Sequence, residues 1–89
     1  MPDQDSAVLA FPCEFPIKIM GLTQKGFAQA VIEVVRRHAP DFDPATLEMR
    51  PSREGKYLSL TCTIRAVSRE QLDALYRELC DHPMVTMVL

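Results

Sequence analysis

Residues 57–65 read YLSLTCTIR, and this segment decides the fold class because its side chains alternate strictly in character. One row is apolar: Leu58, Leu60, Cys62 and Ile64. The other row is mostly polar: Tyr57, Ser59, Thr61, Thr63 and Arg65. Strict alternation is the pattern of a strand with one buried face and one free face. The segment therefore predicts a sheet that is covered on one side only.

Three further segments carry weaker strand patterns. Residues 15–19 alternate like residues 57–65 and end at Gly21, and residues 46–51 end at Pro51, which fits an edge strand. Residues 84–89 form the second predicted edge strand. The alternation assigns these side chains to the covered face: Phe15, Ile17, Ile19, Leu47, Met49, Val85, Met87 and Leu89. It assigns these to the free face: Lys18, Met20, Glu48, Arg50, Met84, Thr86 and Val88.

Two helices are predicted between the strands. The first runs from Gln24 to Ala39 with Thr23 as its N-cap, and its apolar residues recur at helical spacing from Phe27 to Val35. The second begins after Ser68, which forms an S-x-x-Q capping box with Gln71. The sequence His82-Pro83 ends it.

The element order is strand, helix, strand, strand, helix, strand. With short loops and right-handed crossovers, this order predicts a ferredoxin-like α+β sandwich, βαββαβ. The sheet is then antiparallel with strand order 4-1-3-2, and both helices lie on one face. We expect a flexible N-terminal arm over residues 1–12 and one domain over residues 13–89.

Composition narrows the function classes. The chain has 89 residues and a formal net charge of −2, so it lacks the positive field of a typical nucleic-acid binder. Three cysteines without a CxxC pair favour a reducing cytoplasm. No run approaches the ~20 apolar residues of a membrane span, and the N-terminus does not read as a signal peptide. We expect a cytoplasmic protein without nucleic-acid or membrane partners.

The free face of the sheet is the first candidate site. Its predicted interaction residues are Arg50, Tyr57, Ser59, Thr61, Thr63 and Arg65. Domains of this topology that bind RNA stack bases on several aromatic residues of the central strands, whereas this face has only Tyr57. A solvated sheet face is the plain alternative, and a partner platform is the functional one.

The turn between the first strand and first helix is the second candidate. Gly21 and Gly26 bracket it, and backbone amides at a helix N-terminus can hold a small carboxylate. Lys18, Thr23 and Lys25 complete this predicted ligand site.

No catalytic constellation, metal-ligand spacing or cofactor motif is found in the sequence. A small enzyme acting through His38 or Cys13 is the third and weakest reading, because neither histidine lies near Cys13 in the sequence.

Dispersed segments of the chain resemble the uncharacterised bacterial YbeD-like family. They are Phe11-Pro12, Phe15, Lys18-Ile19-Met20-Gly21, Val34-Val35, Arg37-His38-Ala39-Pro40, Ser52, Gly55-Lys56-Tyr57, Ser59 and Met87-Val88-Leu89. The resemblance implies a small cytoplasmic ferredoxin-like domain, similar to ACT-type regulatory domains, with no established activity. Family members are often encoded near enzymes of lipoate attachment, which implies a protein partner of that kind.

The sequence therefore predicts a non-enzymatic regulatory or protein-interaction module. The alternative is a sensor of an amino acid or small carboxylic acid at the turn from Gly21 to Gly26. The short edge strands also leave a homodimer open.

Overall fold

Two helices cover one face of a four-stranded antiparallel sheet in the computed structural model, which describes residues 10–89. The elements are β1 (Cys13–Leu22), α1 (Phe27–His38), a 3₁₀ turn (Pro44–Thr46), β2 (Glu48–Pro51), β3 (Tyr57–Ala66), α2 (Arg69–Asp81) and β4 (Met87–Val88). The strand order is β2-β3-β1-β4. The predicted ferredoxin-like fold and strand order are confirmed. Residues 1–9 of the predicted arm lie outside the described residues, and Phe11 packs against the core.

The core lies between the sheet and the helices. Ile17 and Ile19 of β1 and Leu60 and Ile64 of β3 are at most 1% exposed. From the helix side the core receives these buried residues: Phe27, Val31, Val34, Val35, Leu72, Leu75 and Leu79. The alternation in residues 57–65 therefore has the predicted phase, with the hydroxyl-bearing row facing away from the helices.

Helix α1 begins later than predicted. The expected start was Gln24 with Thr23 as N-cap, but the helix begins at Phe27, and Gly26 precedes it in the left-handed conformation, φ 86°. The Thr23 amide donates instead to the Lys56 carbonyl at 2.8 Å. Residues 23–26 thus form a turn that ties β1 to the β2–β3 connection, and only glycine adopts this φ at little cost.

Strand β4 has the opposite phase from the one predicted. Val88 pairs with the buried Ile19, so Val88 faces the helices, while Met87 and Leu89 face the other side and are 50% and 63% exposed. The prediction that Met87 and Leu89 are covered is wrong. The turn after α2 explains the change, because the Val85 amide donates to the carbonyl of His82 at 3.0 Å and strand pairing starts only beyond it.

Strand β2 lies at the opposite edge of the sheet, where the helices give no cover. Met49 pairs with the buried Leu60 and so lies on the helix side, but it is 58% exposed. All four residues of the strand are exposed. The expectation that Met49 is covered is therefore wrong, because an edge position lies beyond the reach of the helix layer.

Helix α2 begins as the sequence predicts, with one difference in the cap. The Ser68 hydroxyl accepts from the Gln71 amide at 3.0 Å. The Gln71 side-chain oxygen accepts from the Val67 amide at 2.7 Å, one residue before the position of a complete capping box. Its side-chain nitrogen donates to the His38 carbonyl at 2.8 Å. Gln71 therefore joins the start of α2 to the end of α1.

Candidate functional site

We call the sheet face that is turned away from the helices the open face. Register places every second residue of β1, β2 and β3 on it. The open face includes Glu14, Pro16, Lys18, Met20, Leu22, Glu48, Arg50, Tyr57, Ser59, Thr61, Thr63, Arg65, Met87 and Leu89. All six predicted interaction residues lie on it, whereas Met84 and Val88, which the alternation also assigned to this face, pack against the core. The sequence placed Lys18 and Met20 of β1 on this face correctly but missed Leu22, Met87 and Leu89.

Cross-strand rows give the open face its local chemistry. In one row Thr61 lies between Glu48 and Lys18, and Lys18 exchanges backbone hydrogen bonds with Leu89 at 2.8 and 3.2 Å. Lys18, Thr61, Glu48 and Ser59 border a polar depression of about 300 Å³. Hydroxyls and charged groups here can make directional hydrogen bonds to a bound molecule.

One end of the open face is apolar. We call this group the apolar corner, and it consists of Met20, Leu22, Tyr57, Met87 and Leu89. Four of them are substantially exposed, namely Leu22 (42%), Tyr57 (40%), Met87 (50%) and Leu89 (63%). Met20 links them, because it pairs with Met87 and lines depressions of about 280 and 320 Å³, both shared with Tyr57. Exposed apolar side chains grouped in this way mark interaction surfaces more often than scattered ones do.

Positive charge surrounds the apolar corner. Lys18 and Arg50 border the same depression as Met20 and Tyr57, and the Lys56 ammonium lies 5.8 Å from the centre of the Tyr57 ring. None of these three cations forms a salt bridge with another residue in the described range 10–89. Unpaired cations beside apolar groups fit an anionic partner group better than a cationic one.

The predicted ligand residues at the first turn are divided by the sheet. Lys18 lies on the open face, whereas Gly21 lies on the helix face in the register of Ile17 and Ile19. A Cβ at Gly21 would lie 2.3 Å from the Met84 carbonyl oxygen and 2.7 Å from the Phe27 ring. Close packing therefore accounts for this glycine. Thr23, Lys25 and Gly26 are exposed, and small-acid binding there stays a prediction.

His38 belongs to an ionic cluster that joins the helices. Its Nε2 lies 2.7 Å from a carboxylate oxygen of Glu78, and the Arg37 guanidinium donates to the other oxygen. Hydrogen bonds from Arg37 and then His38 lower the pKa of Glu78, and the bond to Glu78 raises the pKa of Arg37. Arg37 thus forms its salt bridge across the helix interface with Glu78, although Glu33 stands at i,i+4 spacing from it on α1. His38 is thus engaged in a structural pair.

The three cysteines are free and differ in how far they are buried. Cys62 is buried, and desolvation raises the pKa of its thiol to about 11, which disfavours the nucleophilic thiolate. Cys13 is half-buried and Cys80 exposed. Over residues 10–89, no three His, Cys, Asp or Glu side chains are grouped to hold a metal ion. Within the same range, no helix has the length and hydropathy to cross a membrane.

These features define a class of protein: a small ferredoxin-like α+β domain that presents an open sheet face. Solved structures of other proteins share its fold. Protein HP0495 from H. pylori matches with a TM-score of 0.77 at 16% identity, covering 100% of this chain and 94% of that one. The ACT domain from GTP pyrophosphokinase of Chlorobium tepidum matches with a TM-score of 0.64 at 18% identity, covering 85% and 84%. At these identities the likeness concerns the fold alone.

The chain belongs to the family described as "Protein of unknown function (DUF493)", whose model matches residues 6–89. A UPF0250 protein of Nitrosomonas europaea is 61% identical over 85 residues, covering 96% of this chain and 98% of the relative. A UPF0250 protein of Bordetella pertussis is 55% identical over 89 residues, covering 100% and 97%. The resemblance to the YbeD-like family stated from the sequence is confirmed.

Proposed function

We propose that this chain is a non-catalytic regulatory or protein-interaction module of the bacterial cytoplasm, and that it binds a partner protein through the open face. The observation that carries the proposal is the apolar corner, in which Leu22, Tyr57, Met87 and Leu89 are each at least 40% exposed on one surface. Burial of that apolar area by a partner would contribute roughly 25 cal/mol per Å² before the costs of association.

The arrangement of titratable groups supports binding over chemistry. The His38 ring is engaged with Glu78, and the buried Cys62 thiol has a raised pKa. Neither group lines a depression of the open face. A catalytic site would need a nucleophile or base directed into a cavity with a lowered or matched pKa. The two depressions at the apolar corner are lined by hydroxyl, apolar and cationic side chains, which suit recognition, and the polar depression beside them adds the Glu48 carboxylate.

The experiment is a comparative affinity isolation. The tagged chain, its Met87→Lys variant and its Val67→Lys variant are expressed in the native host, and co-purified proteins are quantified. Val67 is the matched control, because it is similarly exposed at 56% but lies in the connection between β3 and α2. We expect at least one protein to be enriched with the wild type and Val67→Lys and lost with Met87→Lys. Enzymes of lipoate attachment are the first candidates to score.

Two results would contradict the proposal. One is a set of co-purified proteins that is the same for all three forms, which would place the interaction elsewhere. The other is a measurable turnover that His38→Ala abolishes while the fold, followed by circular dichroism, is retained.

A further inference from the structure

The open face differs in charge from the rest of the chain. The whole chain has ten basic and twelve acidic residues. The open face holds three of the basic ones, Lys18, Arg50 and Arg65, and two of the acidic ones, Glu14 and Glu48, and the Lys56 ammonium lies over the Tyr57 ring at the apolar corner. A net acidic protein thus concentrates positive charge where its apolar side chains are exposed. Such a combination selects partners that bring apolar and anionic groups together.

The positions of these groups set the geometry of a partner. Across the sheet, Met87 on β4 and Arg50 on β2 stand in the same row, with Met20 and Ser59 between them. Three strand spacings separate the ends of this row, about 14 Å. A helix rises about 5.4 Å per turn and a strand about 3.3 Å per residue, so a short segment spans the row in either conformation.

We propose that the open face binds an acidic, apolar peptide segment of a partner protein, with its apolar side chains on the apolar corner and its carboxylates on Lys18 and Arg50. This rests on the function proposed above. The two methionines, Met20 and Met87, favour a peptide because unbranched thioether side chains adapt to different apolar partners. A nucleic acid is disfavoured because, over residues 10–89, Tyr57 is the single aromatic residue of the face, and base stacking needs such rings.

The test uses the full chain and random dodecapeptides displayed on phage. Peptides enriched on the wild type are sequenced, and the most enriched one is synthesised with a fluorophore for anisotropy titrations. We expect the enriched peptides to carry an excess of Asp and Glu together with Leu, Ile, Met or Phe. We expect Met87→Lys and Arg50→Glu each to weaken binding about tenfold or more, and added salt to weaken it further.

Matched controls separate these effects from damage to the fold. Val67→Lys repeats the apolar-to-cation change and Arg69→Glu the charge reversal, both at exposed positions beyond the end of β3 that is opposite to Tyr57. Each control is expected to leave affinity within about twofold of wild type, in line with the small effects of surface changes away from an interface. Thermal unfolding of every variant verifies that it is folded.

The outcomes distinguish the two proposals. Peptides that need Met87 but show no acidic excess, and whose binding Arg50→Glu leaves unchanged, overturn the acidic-partner inference alone. No enrichment, or binding unchanged by both open-face variants, overturns the open face as the interaction surface as well. Two further results would overturn the acidic peptide as the occupant of the open face. A dimer in sedimentation that Met87→Lys dissociates would indicate a second copy of the chain. Tighter binding of oligouridine than of the peptide would indicate RNA.

Discussion

Gly21→Ala tests how strand β4 is held against the sheet. The added Cβ would lie 2.3 Å from the carbonyl oxygen of Met84 and 2.7 Å from two ring atoms of Phe27. The oxygen belongs to the backbone, so relief requires the segment that carries it to move by roughly 1 Å. Strain of this kind in a packed site costs about 1–3 kcal/mol. We therefore expect the free energy of unfolding to fall by that amount.

The same substitution should loosen a specific part of the structure. Strand β4 is held to β1 by few hydrogen bonds, among them Thr86 amide to Met20 carbonyl and Leu89 amide to Lys18 carbonyl, both 2.8 Å. The strand is the element that can yield to the added methyl group. Because Met87 lies between these two bonds, its displacement would also change the apolar corner.

Urea unfolding measures the first effect and amide hydrogen exchange the second. For a domain of this length the expected loss corresponds to a fall in Tm of about 4–8 °C per kcal/mol. The control is Gly55→Ala, where no atom lies within 4 Å of the added Cβ but φ is +76°. It should cost about 1–2 kcal/mol through backbone strain alone and leave exchange at Thr86 unchanged. The reasoning is refuted if Gly21→Ala unfolds at the wild-type urea concentration with unaltered exchange.

Three further predictions concern the core, the helix cap and the ionic cluster. At pH 8 a thiol reagent should modify the exposed Cys80 in the native protein and Cys62 only after unfolding. The buried Cys62 thiol has a pKa of about 11, so only about 0.1% of it is ionised at this pH. Equal modification rates for both thiols in mass spectrometry would contradict the burial of Cys62. Ser68→Ala should lower the free energy of unfolding by about 1 kcal/mol, measured in urea, because the α2 cap is lost; an unchanged midpoint would show that the cap is dispensable. The pKa of Glu78 is lower in the folded protein than its ordinary value of 4.5, so its stabilising effect is present above that value and is lost as pH falls through the folded pKa. The Tm difference between wild type and Glu78→Gln should therefore shrink on acidification from pH 6 to pH 3. A growing difference would contradict the pairing.

The sequence predicted the fold where its pattern was unambiguous. In β3, apolar and hydroxyl-bearing residues strictly alternate, so only one phase buries Leu60 and Ile64, and both are buried. In residues 84–89 nearly every residue is apolar, so either phase would bury apolar side chains. The turn that ends at Val85 sets the phase, through a hydrogen bond to His82. This turn is the reason why Met87 and Leu89 join the open face.

Contacts between distant segments account for what else the sequence did not reveal. Arg37 and Glu78 are 41 residues apart, so their pairing depends on how α1 and α2 pack. Sequence spacing offers Arg37 only a local partner, Glu33 at i,i+4. At the start of α1, the Thr23 amide is bound to Lys56 of the distant β2–β3 connection, and the left-handed Gly26 separates this turn from the helix.

The open-face claim is tested most directly by NMR of the labelled chain, titrated with the captured partner or the selected peptide. Binding at this surface predicts shift changes concentrated at residues 18–22, 48–51, 57–63 and 87–89, with the outer surfaces of both helices unaffected. Changes concentrated on residues 28–37 or 69–81 instead would mean that the protein recognises its partner with its helices.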